Sequence, residues 1–254
     1  MLFGIVIQVR TGSSRFPEKI LKKIDKRTVI EFLIDNLLTK FKNKNLVIAT
    51  TNLKKDSIIL KILKKKNINF FRGSEENVLK RYLNCAQKFK INNIIQITSD
   101  CPLVDVNLII KMKKIFFSKN LDYLANTYPP KKSMYPDGTD IEIYKYKSLL
   151  KLSKLTNKKE DKEHVTNFFW KNPKIFKTMI IKNKENNSKY KYSIDYKSEL
   201  LLIRRILKIF KIKKAFPSSD DVVKAIKKNK KLRKISNKNI EKFKLNRKDL
   251  FPLL

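Results

Sequence analysis

Several residue types are scarce in this 254-residue chain, and each scarcity excludes a chemistry. Two cysteines, Cys85 and Cys101, are too few and too poorly spaced for a disulfide framework or a zinc knuckle. A single histidine, His164, excludes any site that needs two imidazoles. The four glycines form neither G-x-x-x-x-G-K-[ST] nor G-x-G-x-x-G, so a Walker loop and a dinucleotide fingerprint are both excluded. No run approaches the ~18 uninterrupted apolar residues of a membrane span. The first residues, MLFGIVI, lack the basic leader and cleavage site of a signal peptide. The expectation is a soluble, cytoplasmic protein of a reducing compartment. With 42% hydrophobic residues it has enough apolar material for a real core.

Acidic residues are also few: 23 stand against 60 basic ones, a net charge of +37. Such an excess ordinarily points to nucleic acid or an anionic surface. Only nine of the basic residues are arginine, however, the better reader of phosphate and base edges. The lysines are spread along the whole chain beside abundant Ile and Asn, all residues of A/T-rich codons. The charge therefore reads as a solvated lysine surface, with no specific nucleic-acid partner expected. From Arg204 onward 18 basic residues face four acidic ones, which reads as an exposed basic helical end over about 204–254.

Along the first half, short apolar runs alternate with amphipathic stretches. FGIVIQ (3–8), NLVIAT (45–50), INFF (68–71) and IIQIT (94–98) read as buried strands. Ile30, Leu33, Ile34, Leu37, Leu38 and Phe41 recur at helical spacing, as do Val78, Leu79, Tyr82, Leu83, Ala86 and Phe89. This rhythm predicts an α/β fold, a three-layer sandwich with a mostly parallel sheet. Beyond about residue 120 come the turn-rich TYPP and YPDG, alternating residues over 139–144, and a helical segment around 161–170. Strands near 175–181 and 190–194 and helices over 197–210 and 219–228 follow, the last capped by Ser218-Ser219-Asp220. No linker divides the chain, so a single domain over 1–254 is expected.

Two loops carry charge at strand ends, where an open α/β sheet binds ligands. The first, RTGSSRFPEK (10–19), combines a Gly/Ser turn able to form an anion nest with Arg10, Arg15 and Lys19, enough positive charge to oppose a triphosphate. The second, TSDCPLVD (98–105), places Asp100 at a strand's carboxyl end before a proline turn. Asp100 is placed to hold Mg²⁺ beside a phosphate, and Asp105 reads as a helix cap. Cys85 and Cys101 read as packed thiols, and Trp170 with Phe168 and Phe169 as core.

In order, QVRTGSSRFPEKIL, VIATTN, FFRGSEENVLKRY, ITSDCPLVD, YPDGTDIEI and KEHVT resemble the cytidylyltransferases that activate acidic sugars. The branch is similar to the spore-coat-polysaccharide type, related to the Kdo and acylneuraminate cytidylyltransferases, over residues 3 to 235. The resemblance implies a nucleotide-diphospho-sugar transferase type of fold and transfer of CMP from CTP to a sugar acid. It implies a nucleotide-binding loop of Arg10, Gly12, Ser13, Ser14, Arg15 and Lys19, with Arg72, Gly73 and Ser74 helping to enclose the nucleotide. Arg15, Lys19 and Asp100 take the catalytic roles, Asp100 and Asp195 the Mg²⁺, and His164 lies toward the sugar, although a helix histidine bonded to backbone is an equal reading. It also implies an extension at about 126–145 that packs against a second subunit, hence a homodimer.

Four positions, in three places, depart from the family pattern. Glu18 stands where glycine is usual, Ser99 replaces the glycine before the metal aspartate, and Lys197-Ser198 replace Pro-Glu. Two other readings stay open from the residues alone. One is a glycosyltransferase of the same fold, although no Asp-x-Asp occurs near 98–105; the other is a non-enzymatic nucleic-acid binder resting on charge.

Overall fold

Ile5 and Ile7 face one side of the first strand and Val6 the other, and all three are fully buried, so both faces of that strand are covered. The structure is a computed structural model that describes residues 2–210 and 216–246, the last five as backbone only. The parts of the basic end at 211–215 and 247–254 lie outside the described residues. The strands are β1 (Gly4–Gln8), β2 (Leu46–Thr51), β3 (Asn69–Gly73), β4 (Asn93–Thr98), β5 (Tyr123–Ala125), β6 (Ile141–Lys145) and β7 (Thr178–Ile180). They form one sheet of order β3-β2-β1-β4-β6-β5-β7, in which β6 alone runs against the rest. The four strands expected in the first half are all present, within two residues of their expected ends.

The helices are α1 (Val29–Leu38), α2 (Ser57–Lys65), α3 (Val78–Lys88), α4 (Val106–Ser118), α5 (Tyr146–Leu155), α6 (Lys159–Glu163), α7 (Asn167–Lys171), α8 (Lys197–Phe210), α9 (Ser219–Lys228) and α10 (Lys230–Asn246). On one face of the sheet α1, α2 and α4 pack through Leu33, Leu37, Ile59, Leu63 and Ile109 onto Ile5, Ile7, Ile48, Ile95 and Ile97. On the other, α3, α5 and α7 pack through Tyr82, Leu149 and Phe169 onto Val6, Val47, Ile94 and Tyr144. This is the three-layer α/β sandwich that the strand and helix rhythm predicts.

A third core was not foreseen. The outer face of α1, through Val29 and Phe32, packs with α8, α9 and the first turns of α10 through Leu202, Ile206, Val222 and Leu232. Three expectations are corrected here. The stretch from Arg204 is not simply an exposed basic end: its apolar stripes build this core and leave the lysines outside. Residues 190–194 alternate as a strand would, with Tyr190, Tyr192 and Ile194 inward, but only a single bridge, Asp137 to Lys191, pairs them. Likewise the stretch read as an extension ends in β6, and its Tyr135 and Tyr144 are buried within the same chain.

The registers bring the carboxyl ends of the central strands level. Gln8 of β1 lies beside Ala49 of β2 and Thr98 of β4, so the loops at 9–19, 52–56 and 99–105 leave the sheet along one edge. Asp105 caps α4, its Oδ1 accepting from the amides of Asn107 and Leu108. Its Oδ2 accepts from the Ser219 amide at 3.0 Å, which ties the α9 start to the same edge.

Candidate active site

The phosphate-type loop is shaped by which of its residues can be buried. Phe16 and Ile20 insert into two different cores, and the segment between β1 and those anchors is left as an open turn with Ser14 and Arg15 exposed. Thr11 is the hinge: its carbonyl accepts from the amides of Ser13 and Glu18, both at 3.0 Å. Its own amide and hydroxyl donate to Asp56 Oδ1 at 2.7 and 2.6 Å, and the Thr51 hydroxyl donates to Asp56 Oδ2. Asp56 is fully buried, and these three donors satisfy it while pinning the loop to the end of β2. The amides of Gly12, Ser14 and Arg15 have no hydrogen-bond partner among the described residues, as an anion-binding turn requires.

Lys19 projects from the end of this loop to the far side of the cleft. Its Nζ lies 2.8 Å from Asp100 Oδ2 and 3.2 Å from Asp195 Oδ1. Arg15 reaches the same Asp195 oxygen at 2.7 Å, and its guanidinium lies 5.9 Å from the centre of the Tyr196 ring. The buried Lys191 approaches Asp195 Oδ2 at 3.0 Å, Asp137 Oδ2 at 3.3 Å and Glu199 Oε1 at 3.5 Å. Thus two loops far apart in sequence deliver their charges to one point. Burial alone would raise both aspartates, but Lys19 holds the Asp100 carboxyl below its usual range, and Lys191, Lys19 and Arg15 together hold Asp195 well below it. Burial works to lower Lys19 as well, yet Asp100 and Asp195 carry its ammonium above the usual lysine value.

Of these residues Arg15, Asp100, Asp137 and Asp195 open onto a cleft of about 360 Å³. Arg15, Thr98, Asp100 and Asp195 line it where the loop contacts it, and Thr127, Tyr128, Lys131, Ser133, Asp137, Asp140, Asn186, Ser188 and Ile240 line it as well. The YPDG turn is held open-side out by Gly138, at φ +116°, where a Cβ would lie 2.6 Å from the Tyr192 ring. Asp140 accepts from the Thr127 hydroxyl at 2.8 Å and the Gly138 amide at 2.9 Å. Burial pushes the Asp137 carboxyl up to about 7, against the pull of Lys191, and raises Asp140 as well. Cys101 is buried beside Asp100, with burial, then Asp140 and Asp100, pushing its thiol well above the ordinary cysteine range.

The remaining expected residues sit farther out. Arg10 pairs with Glu75 at 3.6 Å on the rim, and Lys55 reaches the same carboxylate at 3.7 Å. Arg72 donates to the carbonyls of Thr51 and Leu53, both at 3.0 Å, so its guanidinium braces the turn after β2. Gly73 and Ser74 follow β3, and the buried Arg81 holds this turn by donating to the carbonyls of Ser74 and Glu75. His164 follows α6, its amide donating to Glu160 O at 2.7 Å, and it does not line the cleft. Sequence reasoning missed Asp56, Arg81, Lys191, Asp137 and Asp140. Asp56 looks like a cap for α2 but makes no capping bond; its oxygens go to Thr11 and Thr51 instead. The family pattern's departures also find places. Glu199 accepts from the amides of Asp195 and Tyr196 and so fixes the aspartate, while Ser198 donates to Asn239 of α10.

A model of the cytidylyltransferase family matches residues 4–222. The chain belongs to the cytidylyltransferase family. It is a nucleotidyltransferase enzyme. Among its relatives, the spore coat polysaccharide biosynthesis protein SpsF of Bacillus subtilis is 29% identical over 210 residues, covering 79% of this chain and 84% of SpsF. A cytidylyltransferase structure from Leptospira borgpetersenii serovar Hardjo-bovis superposes with a TM-score of 0.86 at 29% identity, covering 93% of this chain and 98% of that one. The fold is shared more distantly with a CMP:2-keto-3-deoxy-manno-octonic acid synthetase complexed with CTP, at a TM-score of 0.63 and 15% identity over 83% of this chain and all of that one. Among the described residues of this cytidylyltransferase, no helix is long and apolar enough to cross a membrane.

Proposed function

We propose that the enzyme transfers CMP from CTP to a sugar acid, releasing pyrophosphate, in the synthesis of a surface polysaccharide precursor. The observation that carries this reading is the convergence of Asp100 and Asp195 on the ammonium of Lys19, which ends the same loop whose Gly12, Ser14 and Arg15 amides are open among the described residues. In this reading the turn, Arg15 and Lys19 hold the triphosphate, and the sugar's anomeric oxygen attacks the α-phosphorus in line. A P–O bond forms, the bond to the β-phosphate oxygen breaks, and pyrophosphate leaves with the negative charge while the hydroxyl proton is lost. Such chemistry needs positioning and charge neutralisation more than a covalent nucleophile.

What supports a Mg²⁺ at Asp100 and Asp195 is that both carboxylates already reach a single positive charge. Two carboxylates with substrate phosphates and water are the donors this ion takes, and no group of three acidic, histidine or cysteine side chains that could hold a metal alone occurs among the described residues. When bound, the ion would supply further neutralisation of the phosphate oxygens, and Lys19 would then turn its ammonium toward the phosphates. Lys131 supports an anionic acceptor: it lines the cleft, and its ammonium forms no ion pair among the described residues. The names of SpsF and of the octonic acid synthetase point to the same chemistry.

The test is a product assay of the purified chain with each of the four NTPs and with 2-keto-3-deoxy-manno-octonate or N-acetylneuraminate. A CMP-sugar and pyrophosphate from CTP alone are expected. Equal use of all four nucleotides, or transfer only to uncharged sugars, overturns the reading.

A further inference from the structure

Helix α10 lies outside the span that the family model matches, yet it reaches the cleft. Its inward face is polar as well as apolar: Ser236 is fully buried, and Asn239 and Ile240 are nearly so. Ser236 sits against residues 190–192, the segment that fails to become a strand. One edge of that segment is paired, since the Asp137 amide donates to the Tyr190 carbonyl and the Tyr192 amide donates to the Asp137 carbonyl. The other edge is met by a single side chain. The Lys191 amide donates to Ser236 Oγ at 2.8 Å, and that hydroxyl donates to the Lys191 carbonyl at 3.1 Å. One hydroxyl thus does what a neighbouring strand would do, and satisfies two buried backbone groups that would otherwise be costly.

The segment so held is the one that carries the site. The Lys191 ammonium bridges Asp137 and Asp195, and Asp195 receives Arg15 and Lys19 from across the cleft. One turn beyond Ser236, Ile240 lines the same cleft, as do Asn186 and Ser188. Among the described residues it is the sole open-chain aliphatic side chain in a lining otherwise made of hydroxyls, charges, an amide, a thiol and the rings of Tyr128, Pro130 and Tyr135.

We propose that α10 completes the acceptor site: Ile240 is a specificity-determining wall against the acceptor, and Ser236 is a positioning residue that fixes the 190–195 segment and with it Asp195. This rests on the reading of the cleft as a cytidylyl-transfer site, with the acceptor in the part of it that Ile240 lines. The acceptor then presents an apolar face, a ring C–H surface or an acyl methyl, toward Ile240.

The full chain carrying Ile240→Ala or Ile240→Phe is assayed with CTP and a panel of 2-keto-3-deoxy-manno-octonate, N-acetylneuraminate, neutral hexoses and hexose 1-phosphates. The acceptor KM is expected to change about tenfold, the scale on which an apolar pocket discriminates a methylene or more. KM for CTP should stay at the wild-type value when assayed well below the melting temperature, which a change at a nearly buried position lowers. Ser236→Ala should speed amide hydrogen exchange across 190–195 and lower kcat about ten- to a hundredfold, as a small misplacement of a reacting group does, again without changing KM for CTP. Ile240 variants with wild-type acceptor KM and preference overturn the wall. Unchanged exchange across 190–195 in Ser236→Ala, or faster exchange with unchanged kcat, overturns the positioning role. If the wild type takes an acceptor from the panel but no sugar acid, the proposed function fails, and the effect of Ile240 is read on the acceptor it does take.

Discussion

Two pairs of carboxylates share one cleft and have opposite fates. Asp100 and Asp195 are held ionised, while Asp137 and Asp140 are pushed toward the neutral acid. Burial acts on all four in the same direction, so it does not make the difference. What differs is how many cations arrive and how closely: Asp100 and Asp137 each face one, but at 2.8 and 3.3 Å, and Asp137 also faces two further carboxylates. Asp195 receives Arg15, Lys19 and Lys191, and Asp100 receives Lys19. Asp137 has a share of Lys191 and faces Asp140 and Asp195, and Asp140 is satisfied by neutral donors from Thr127 and Gly138. The pair beside the phosphate-type loop is therefore ready to oppose a cation or a phosphate's counter-charge. The other pair is suited to hydrogen-bonding neutral groups. A charge-rich sequence of +37 thus spends its cations selectively where chemistry is proposed.

The largest expected effect breaks this comparison if it fails. Asp195→Asn removes the carboxylate on which three cations converge, and should lower kcat by a thousandfold or so, using about 4 kcal/mol for one essential electrostatic group. Asp137→Asn keeps a hydrogen-bonding group where the acid is already half neutral near pH 7, and should cost far less. Steady-state rates of the two variants at saturating CTP and limiting Mg²⁺ decide it. Equal losses would make the two pairs alike, and full turnover in Asp195→Asn would remove the two-carboxylate site. Arg15→Ala comes next. Arg15 is partly exposed and touches Asp195 alone, whereas Lys19 touches both aspartates. About 2 kcal/mol of transition-state stabilisation should be lost, read as a thirtyfold fall in kcat/KM for CTP. A variant with the wild-type value would take Arg15 out of the triphosphate site.

The two halves of the cleft were unequally legible in the sequence. The loop side was readable because it lies in continuous motifs after regular strands: Arg15, Lys19 and Asp100 follow β1 and β4 directly. The α/β class was readable for the same reason, since Ile and Val alternate on strands that are covered on both faces. The rest of the cleft depends on pairings between distant segments. Lys191 looks like one lysine among dozens, and only the fold shows that it is fully buried against Asp137, Asp195 and Glu199. A helical end over 204–254 was expected, but the burial of α10 was not, because its buried face includes Ser236 and Asn239, which interrupt the apolar period. Residues 190–194 misled for the converse reason: their inward alternation is correct, but Ser236 takes the backbone groups that a strand partner would have used.

A smaller effect tests whether cation supply is what separates the carboxylates. Glu142 is buried in β6, where it accepts from the Tyr123 hydroxyl and from Gln96 at 3.2 Å, with no ammonium or guanidinium paired to it among the described residues. Burial pushes its carboxyl up to about 7, against the hydrogen bonds from Tyr123 and Thr166. An unfolded glutamate titrates near ~4.3, so between there and pH 7 the folded chain holds a proton that the unfolded chain has lost. Stability from this group is therefore greatest in acid and falls as pH rises through that window. Glu142→Gln carries no such proton, so denaturant titrations should show the variant gaining on the wild type from pH 5 to pH 8. A stability difference independent of pH would mean that Glu142 is charged in the folded protein throughout.

The smallest effect concerns the one departure that places an acid beside the loop. Glu18 occupies the position where the resembling family carries glycine, and its backbone sits at φ 54°, ψ 25°, the left-handed region. That conformation closes the loop, because it lets the Glu18 amide reach the Thr11 carbonyl at 3.0 Å. A side chain there costs roughly 1–2 kcal/mol, which glycine avoids at some loss of unfolded-state restriction. The carboxylate itself is exposed, 61% at the side chain, and lies 3.6 Å from Lys22, a contact of little worth on an open surface. Glu18→Gly should therefore stabilise the fold by about 0.5–1 kcal/mol, the net of the two backbone terms. Glu18→Ala, which keeps the strained backbone and removes only the charge, should leave stability nearly unchanged. The pair separates conformation from electrostatics in one thermal-denaturation series. If Ala gained as much as Gly, the acid's charge and not its backbone would be the strained element, and the loop would then be expected to bind CTP more tightly in both variants.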